Sequence, residues 1–118
     1  MNMAKSLVLF GIYMIVVGLT LLVAPDPVIT FLGFEAVDDV WVRLFGWMVV
    51  SGGYIYIQVG RSGNEVFARA TLLVRLTVVV VHLVLFLLDL APAVLLTFGG
   101  ADFVGALWTA MALRRDNA

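Results

Sequence analysis

Arg75 and Asp102 each fall near the middle of a long apolar stretch, with Arg43 and His82 in or beside the same kind of segment. A charge at hydrocarbon depth costs at least about 2.5–3.5 kcal/mol on insertion scales, so it persists where it is paired, hydrated in a cavity or needed. Three chemistries suit these residue types. An arginine and an aspartate can form a charge-assisted, bidentate pair that fixes helix register. Arg43, Arg75 and His82 together can hold an anion or a polar head group. Asp102 with His82 is a pairing common in proton relays. The sequence leaves all three open.

The elements that must position these residues are legible. The chain has 118 residues, 64% of them hydrophobic and only 13% charged. Its mean hydropathy is +1.13. Soluble domains carry about 25% charged residues, and runs of about 20 apolar residues indicate a bilayer. The reading is all-α: a single integral membrane domain over residues 1–118, folded as a four-helix transmembrane bundle, antiparallel and up-down-up-down. Spans are expected at about 5–24, 40–60, 66–88 and 93–113. Pro25 and Pro27 stop the first, and the apolar run 28–34 is expected as a short turn of helix at the membrane surface. The break at 61–65 is short enough to force a hairpin. The first span follows a single lysine, as in a signal peptide, but it is longer than a usual signal core and lacks a small-x-small cleavage site, so it reads as retained.

Depth then relates the polar residues to one another. Arg75 lies nine residues past Val66, roughly 14 Å from that end, and Asp102 lies eleven residues before Leu113, roughly 17 Å from the same side. Adjacent antiparallel helices would put the two in reach, so a direct Arg75–Asp102 contact is expected. Arg75, His82 and Asp89 recur every seven residues, nearly one helix face. Arg43 enters its span near the depth of His82. Ser51, Tyr54 and Gln58 could add hydrogen bonds, and Thr71 and Thr77 read as bonded to their own backbone. The sequence therefore suggests a recess toward the outer half of the membrane. Its expected occupant is a membrane lipid or small amphiphile with an anionic or hydrogen-bonding head. The expected ligand-binding residues are Arg43, Arg75, His82, Asp102, Trp47 and Tyr54, with Trp47 or Phe86 flanking the tail.

Charge asymmetry orients the spans. Lys5, Arg61, Arg69, Arg114 and Arg115 fall on the side shared by both termini. Asp26, Glu35, Asp38, Asp39 and Asp89 fall on the other, whose loops hold no lysine or arginine. The positive-inside rule then predicts cytoplasmic termini. Gly46, Gly53 and Gly60 recur every seven residues, as do Gly11 and Gly18, and Ala101 and Gly105 form a small-xxx-small pair. Such stripes suit close packing within one bundle, and a homo-oligomer remains an alternative use of them.

Other classes are not supported. The chain has no cysteine, which excludes disulfides and iron–sulfur ligation, and its one histidine does not make a transition-metal site. A net charge of −1 without a basic patch gives no footprint for nucleic acid. No phosphate loop, zinc-protease helix or nucleophile elbow is present, so no catalytic residue and no cofactor is assigned and an enzyme is not the favoured reading. Besides an amphiphile-binding protein, a structural or partner-binding membrane subunit and a small proton-coupled transporter remain alternatives.

Asp39-Val40-Trp41-Val42-Arg43-Leu44-Phe45-Gly46, the Arg75-bearing third span, and Ala101-Asp102-Phe103-Val104-Gly105-Ala106-Leu107-Trp108-Thr109 with the Leu113-Arg114-Arg115 end together carry a resemblance over most of the chain. The sequence resembles small bacterial four-helix membrane proteins, loosely similar to the DoxX-like proteins. That resemblance implies a bacterial inner-membrane location and four helices, and no transferable activity. In length and span count the chain is also similar to small multidrug transporters. Those carry a functional carboxylate in their first helix, and this chain has none there.

Cysteine labelling in spheroplasts tests the topology. A cysteine at Asn64 should react only after permeabilisation and one at Asp38 should react from outside; the reverse pattern would invert the orientation.

Overall fold

The computed structural model describes residues 3–31, 39–90, 93 and 96–116. Five helices make up the described chain: α1 (Met3–Val23), α2 (Pro25–Phe31), α3 (Asp39–Arg61), α4 (Glu65–Leu87) and α5 (Leu96–Asp116). Four of them are long and apolar enough to cross a membrane, with lengths of 21, 22, 23 and 20 residues. At 1.5 Å per residue these reach about 30 Å or more, the thickness of the hydrocarbon layer. The all-α, antiparallel four-helix reading holds. The spans agree with expectation to within two or three residues, and α5 begins at Leu96 instead of 93.

Local chemistry sets the helix ends. Pro25 stands at the first position of α2, where its missing N–H removes no helical bond, so the prolines that end α1 also begin a second helix. This is the short helix expected near 28–34; it begins earlier, and residues 32–34 lie outside the described part. The α3–α4 hairpin turns through Gly63 at φ 73°, a left-handed conformation that glycine adopts without penalty. Asn64 then caps α4 by accepting from the Phe67 amide at 2.9 Å. At the far end of α4, Asp89 takes φ 59°. The Leu90 amide donates to Leu85 and the Asp89 amide to Phe86, the paired bonds of a Schellman cap. Asp89 therefore terminates α4 and does not extend the face expected to run from Arg75 through His82.

The helices pack in the order α3, α1, α5, α4, with α1 against α3 as the most extensive contact and α3 against α4 slight. The bundle is accordingly flattened, with extents of 49 × 30 × 18 Å. The hairpin still joins α3 to α4 near its base, where Tyr56 and Phe67 meet edge to face at 5.5 Å. Burial is reversed from that of a soluble bundle. Leucines and valines such as Leu73, Val74, Val80 and Val81 point outward, while small or polar residues such as Ser6, Ala68, Thr71, Ala106 and Thr109 lie inside. Lipid tails are as apolar as leucine, so the interior is built by close fit instead of by escape from water.

The α1–α3 seam shows that fit most clearly. A Cβ added at Gly18 would lie 2.6 Å from the Gly46 carbonyl oxygen, and one at Gly46 would lie 2.7 Å from that of Gly18. Gly11 and Gly53 repeat the arrangement at 2.7 and 2.6 Å, and Gly60 admits Leu7. Gly11 and Gly18 thus meet Gly53 and Gly46, and the third glycine of the α3 series meets Leu7. Gly18→Ala should therefore force the helices apart and cost about 1–3 kcal/mol. Gly100, with nothing within 4 Å of its added Cβ, is the matched control. Gly100→Ala should be neutral or stabilise α5 by up to about 1 kcal/mol. Unfolding in detergent micelles measures both, and equal losses would show that seam contact is not what the glycines provide.

Candidate functional site

Arg75 is 2% exposed, the largest fully buried side chain among the described residues. Side chains on a helix lean toward its N-terminus, and the Arg75 guanidinium follows that lean down α4 toward the side of the termini. Its Nε donates to the Thr71 carbonyl at 3.3 Å, and its Nη2 donates to Thr71 Oγ1 at 3.3 Å and to Thr109 Oγ1 on α5 at 2.9 Å. Thr109 Oγ1 also meets Ser6 Oγ of α1 at 2.8 Å, and Ser6 donates to the Met3 carbonyl at 2.7 Å. The guanidinium carbon stands 4.8 Å from the centre of the Phe10 ring and 5.7 Å from that of Tyr56. Residues from α1, α3, α4 and α5 thus converge on one cation.

The expected Arg75–Asp102 ion pair does not form. Gly99 packs against His82, and in the antiparallel α4–α5 pair that register puts Asp102 about one turn farther from the termini than Arg75. Arg75 leans toward the termini and Asp102 leans away, which widens that separation. Hydroxyls and aromatic faces take the place of the carboxylate around Arg75. They satisfy most of its donors, leaving Nη1 buried without an acceptor, as is Trp108 Nε1. Gly105 makes room for the group: a Cβ there would lie 2.8 Å from Phe10 and 3.2 Å from Arg75 Nη1.

Arg43 is committed elsewhere. Its Nη1 donates to the Leu22 carbonyl at 2.7 Å, satisfying an acceptor in the last turn of α1 and tying α3 to that end. Trp47 and Tyr54 are exposed on the outer surface of α3, at 56% and 59%. The structure therefore does not assemble Arg43, Arg75 and His82 into one anion-binding cluster, and Trp47 and Tyr54 lie away from its interior.

His82 and Asp102 do converge. They lie in the wall of a cavity of about 590 Å³ on the side away from the termini. Its walls come from all five helices: Phe10, Tyr13 and Thr20 from α1, Phe31 from α2, Phe45 and Val49 from α3, Val78 beside His82 on α4, and Phe98 beside Asp102 on α5. Neither Trp47 nor Phe86 takes part. Gly99, nearly one turn before Asp102, faces the imidazole, where an added Cβ would lie 3.4 Å from His82 Cβ. His82 Nδ1 is 2.8 Å from the Val78 carbonyl, which can only accept, so Nδ1 carries a proton. Phe10 belongs to both regions, packing against Arg75 with its ring while lining the cavity.

The sequence reads Thr71 as bonded to its own backbone, as it is at the Ala68 carbonyl, but does not connect Thr71, Thr109, Ser6 or Phe10 to Arg75. The signal for Thr71 was present, since it sits four residues before Arg75, on the side to which a helical arginine leans. Thr109 and Ser6 required knowing which helices are neighbours.

A volume of about 590 Å³ falls in the range of small-molecule sites, about 300–1,000 Å³, and the lining is the usual one of apolar walls with few polar groups. No group of three or more histidine, cysteine or acidic side chains able to hold a metal ion occurs among the described residues. Among the described residues, neither hydroxyl in the lining, Tyr13 or Thr20, is hydrogen-bonded to His82 or Asp102. No protein-family model, curated protein or solved structure matches this chain.

Double-mutant cycles separate the observed contacts of Arg75 from the pair that the sequence suggested. Arg75→Met combined with Thr109→Val should show coupling on the order of 0.6 kcal/mol or more, as membrane hydrogen bonds do. Arg75→Met combined with Asp102→Asn should be closer to additive. The opposite ranking, read from unfolding in micelles, would restore the direct ion pair.

Proposed function

We propose that this is a multi-pass protein of the bacterial inner membrane, with both termini cytoplasmic, whose recess holds a small amphiphile in the outer half of the bilayer. The observation that carries this reading is the cavity walled by apolar side chains of all five helices, with Asp102 and His82 as its convergent polar groups. An apolar chain suits the walls, and a polar head suits the two side chains. In this orientation the recess lies at the level of the outer leaflet, as the sequence suggested. The head group differs from that expectation, because Arg43 and Arg75 are engaged by Leu22 and by Thr71 and Thr109.

A proton-coupled transporter would use the same Asp102 and His82 and would need a path onward to the side of the termini. Below the recess stand Phe10 and the fixed positive charge of Arg75. A buried arginine opposes the passage of protons and cations, which favours binding over conduction. The resemblance to small bacterial inner-membrane proteins supports the location and is silent about the ligand.

Native mass spectrometry after extraction in a mild detergent tests the reading. The unaltered protein should carry a co-purifying amphiphile, and Val49→Trp, which places an indole in the recess, should lose it while still folding. Val80→Trp, on the exposed surface of α4, should retain it. A protein that carries no adduct, or carries the same adduct with Val49→Trp, would instead leave the structural or partner-binding role.

A further inference from the structure

The recess offers acceptors and almost no donors. Asp102 contributes a carboxylate that makes no hydrogen bond or ion pair among the described residues. His82 spends its Nδ1 proton on the Val78 carbonyl at 2.8 Å, and in that tautomer Nε2 is the ring nitrogen left to accept. Thr20 spends its hydroxyl proton on the Val16 carbonyl at 2.8 Å, so its oxygen can only accept. Tyr13 is the one lining side chain whose hydroxyl proton is not already directed at a carbonyl. The two arginines nearest the interior point their donors elsewhere, and Phe10 stands between the cavity and Arg75. A carboxylate, phosphate or sulfate head would thus meet oxygen and nitrogen lone pairs and a like charge. An ammonium would find a counter-charge, acceptors for its N–H groups, and two further aromatic side chains in the lining, Phe45 and Phe98, a residue type whose rings attract cations.

We propose that the recess selects a lipophilic ammonium bearing N–H donors, with its nitrogen at Asp102 and His82 and its chain along the aromatic wall. This rests on the amphiphile-binding reading and gives that ligand the opposite charge from the one the sequence suggested. The selection follows from spent protons: each neutral hydrogen-bonding side chain that α1 and α4 present here, Tyr13 excepted, has used its hydrogen on the preceding turn of its own helix. It also explains how Asp102 can lie at membrane depth without a protein partner. The ligand would supply the cation that Arg75, leaning the other way, does not.

Four amphiphiles that share a chain and differ in head group separate the possibilities: dodecylamine, dodecyltrimethylammonium, dodecanol and dodecanoate. Each is added to the delipidated, unaltered protein in micelles, and bound fractions are read by native mass spectrometry. Dodecylamine should bind about tenfold or more tightly than dodecanol or dodecanoate, as expected for charge-assisted hydrogen bonds. It should also exceed dodecyltrimethylammonium, which has the charge without N–H donors. Asp102→Asn should abolish the preference, and His82→Phe should reduce it. Equal binding of dodecyltrimethylammonium would overturn the role of the acceptors. Equal binding of dodecanol and dodecanoate, lost in Val49→Trp, would overturn cation selection while leaving an occupied recess. Failure of all four to bind would overturn both readings. The comparison among head groups uses the unaltered protein, so it stands even if Asp102→Asn lowers folded yield.

Discussion

A guanidinium buried at membrane depth with no carboxylate against it is the constraint around which the helices are arranged. Arg75 cannot shed its proton as a buried lysine would, so the protein must solvate a permanent charge. It does so with Thr71 from the preceding turn, Thr109 from α5, and the rings of Phe10 and Tyr56 from α1 and α3. Each of these comes from an element whose position would otherwise be set only by weak, non-directional packing. Ser6 extends the network back to α1 through Thr109. One cation therefore fixes the relative height of four helices, a task that hydrophobic burial performs in water and cannot perform in lipid.

The glycine seam supplies the complementary constraint. Where Arg75 sets height, the contacts of Gly18 with Gly46 and of Gly11 with Gly53 set separation, bringing α1 and α3 close enough for carbonyl oxygens to occupy the space of side chains. This closeness consumes one face of α1 and leaves another to α5. As a result α3 and α4, though joined by a tight hairpin and in contact at Tyr56 and Phe67, are not drawn together along their length. The cavity lies where Phe45 and Val49 of α3 and Val78 and His82 of α4 face across that gap. A more uniform bundle, with four equivalent contacts, would have closed it.

How much of this the sequence disclosed follows from the range of each signal. Span length, proline stops and the seven-residue glycine spacing act within one helix, so the helices and their small-residue stripes follow from them, while the pairing of the α1 stripe with the α3 stripe does not. Helix depth counted along one helix is local, but the register between α4 and α5 is not, and Gly99 against His82 sets Asp102 about one turn farther from the termini than Arg75. Side-chain lean, opposite on two antiparallel helices, then carries the two charges farther apart. Spacing alone misled at Asp89: a seven-residue interval placed it on the Arg75 face, while its left-handed backbone takes it out of the helix. Trp47 and Tyr54 were grouped with the polar interior by residue type, and only the packing of α3 on α1 turns them outward.

The divergence of Arg75 and Asp102 has a functional side. Had the two leaned toward each other, they would have neutralised one another and closed the space between α4 and α5. Because they lean apart, the interior is divided at Phe10 into two regions of opposite hydrogen-bonding character. On the side of the termini, the donors of Arg75 meet the oxygens of Thr71 and Thr109, and only Nη1 is left over. On the other side, Asp102, His82 and Thr20 line open space with acceptors for which the protein provides almost no donors. The first region is nearly saturated and serves to hold the fold. The second is unsaturated beside an apolar cavity, and a polar group left without a partner in such surroundings is costly. The same antiparallel geometry that stabilises the bundle at one level thus leaves, about a turn or two away, a recess rich in acceptors where Tyr13 holds the one hydroxyl proton not already directed at a carbonyl.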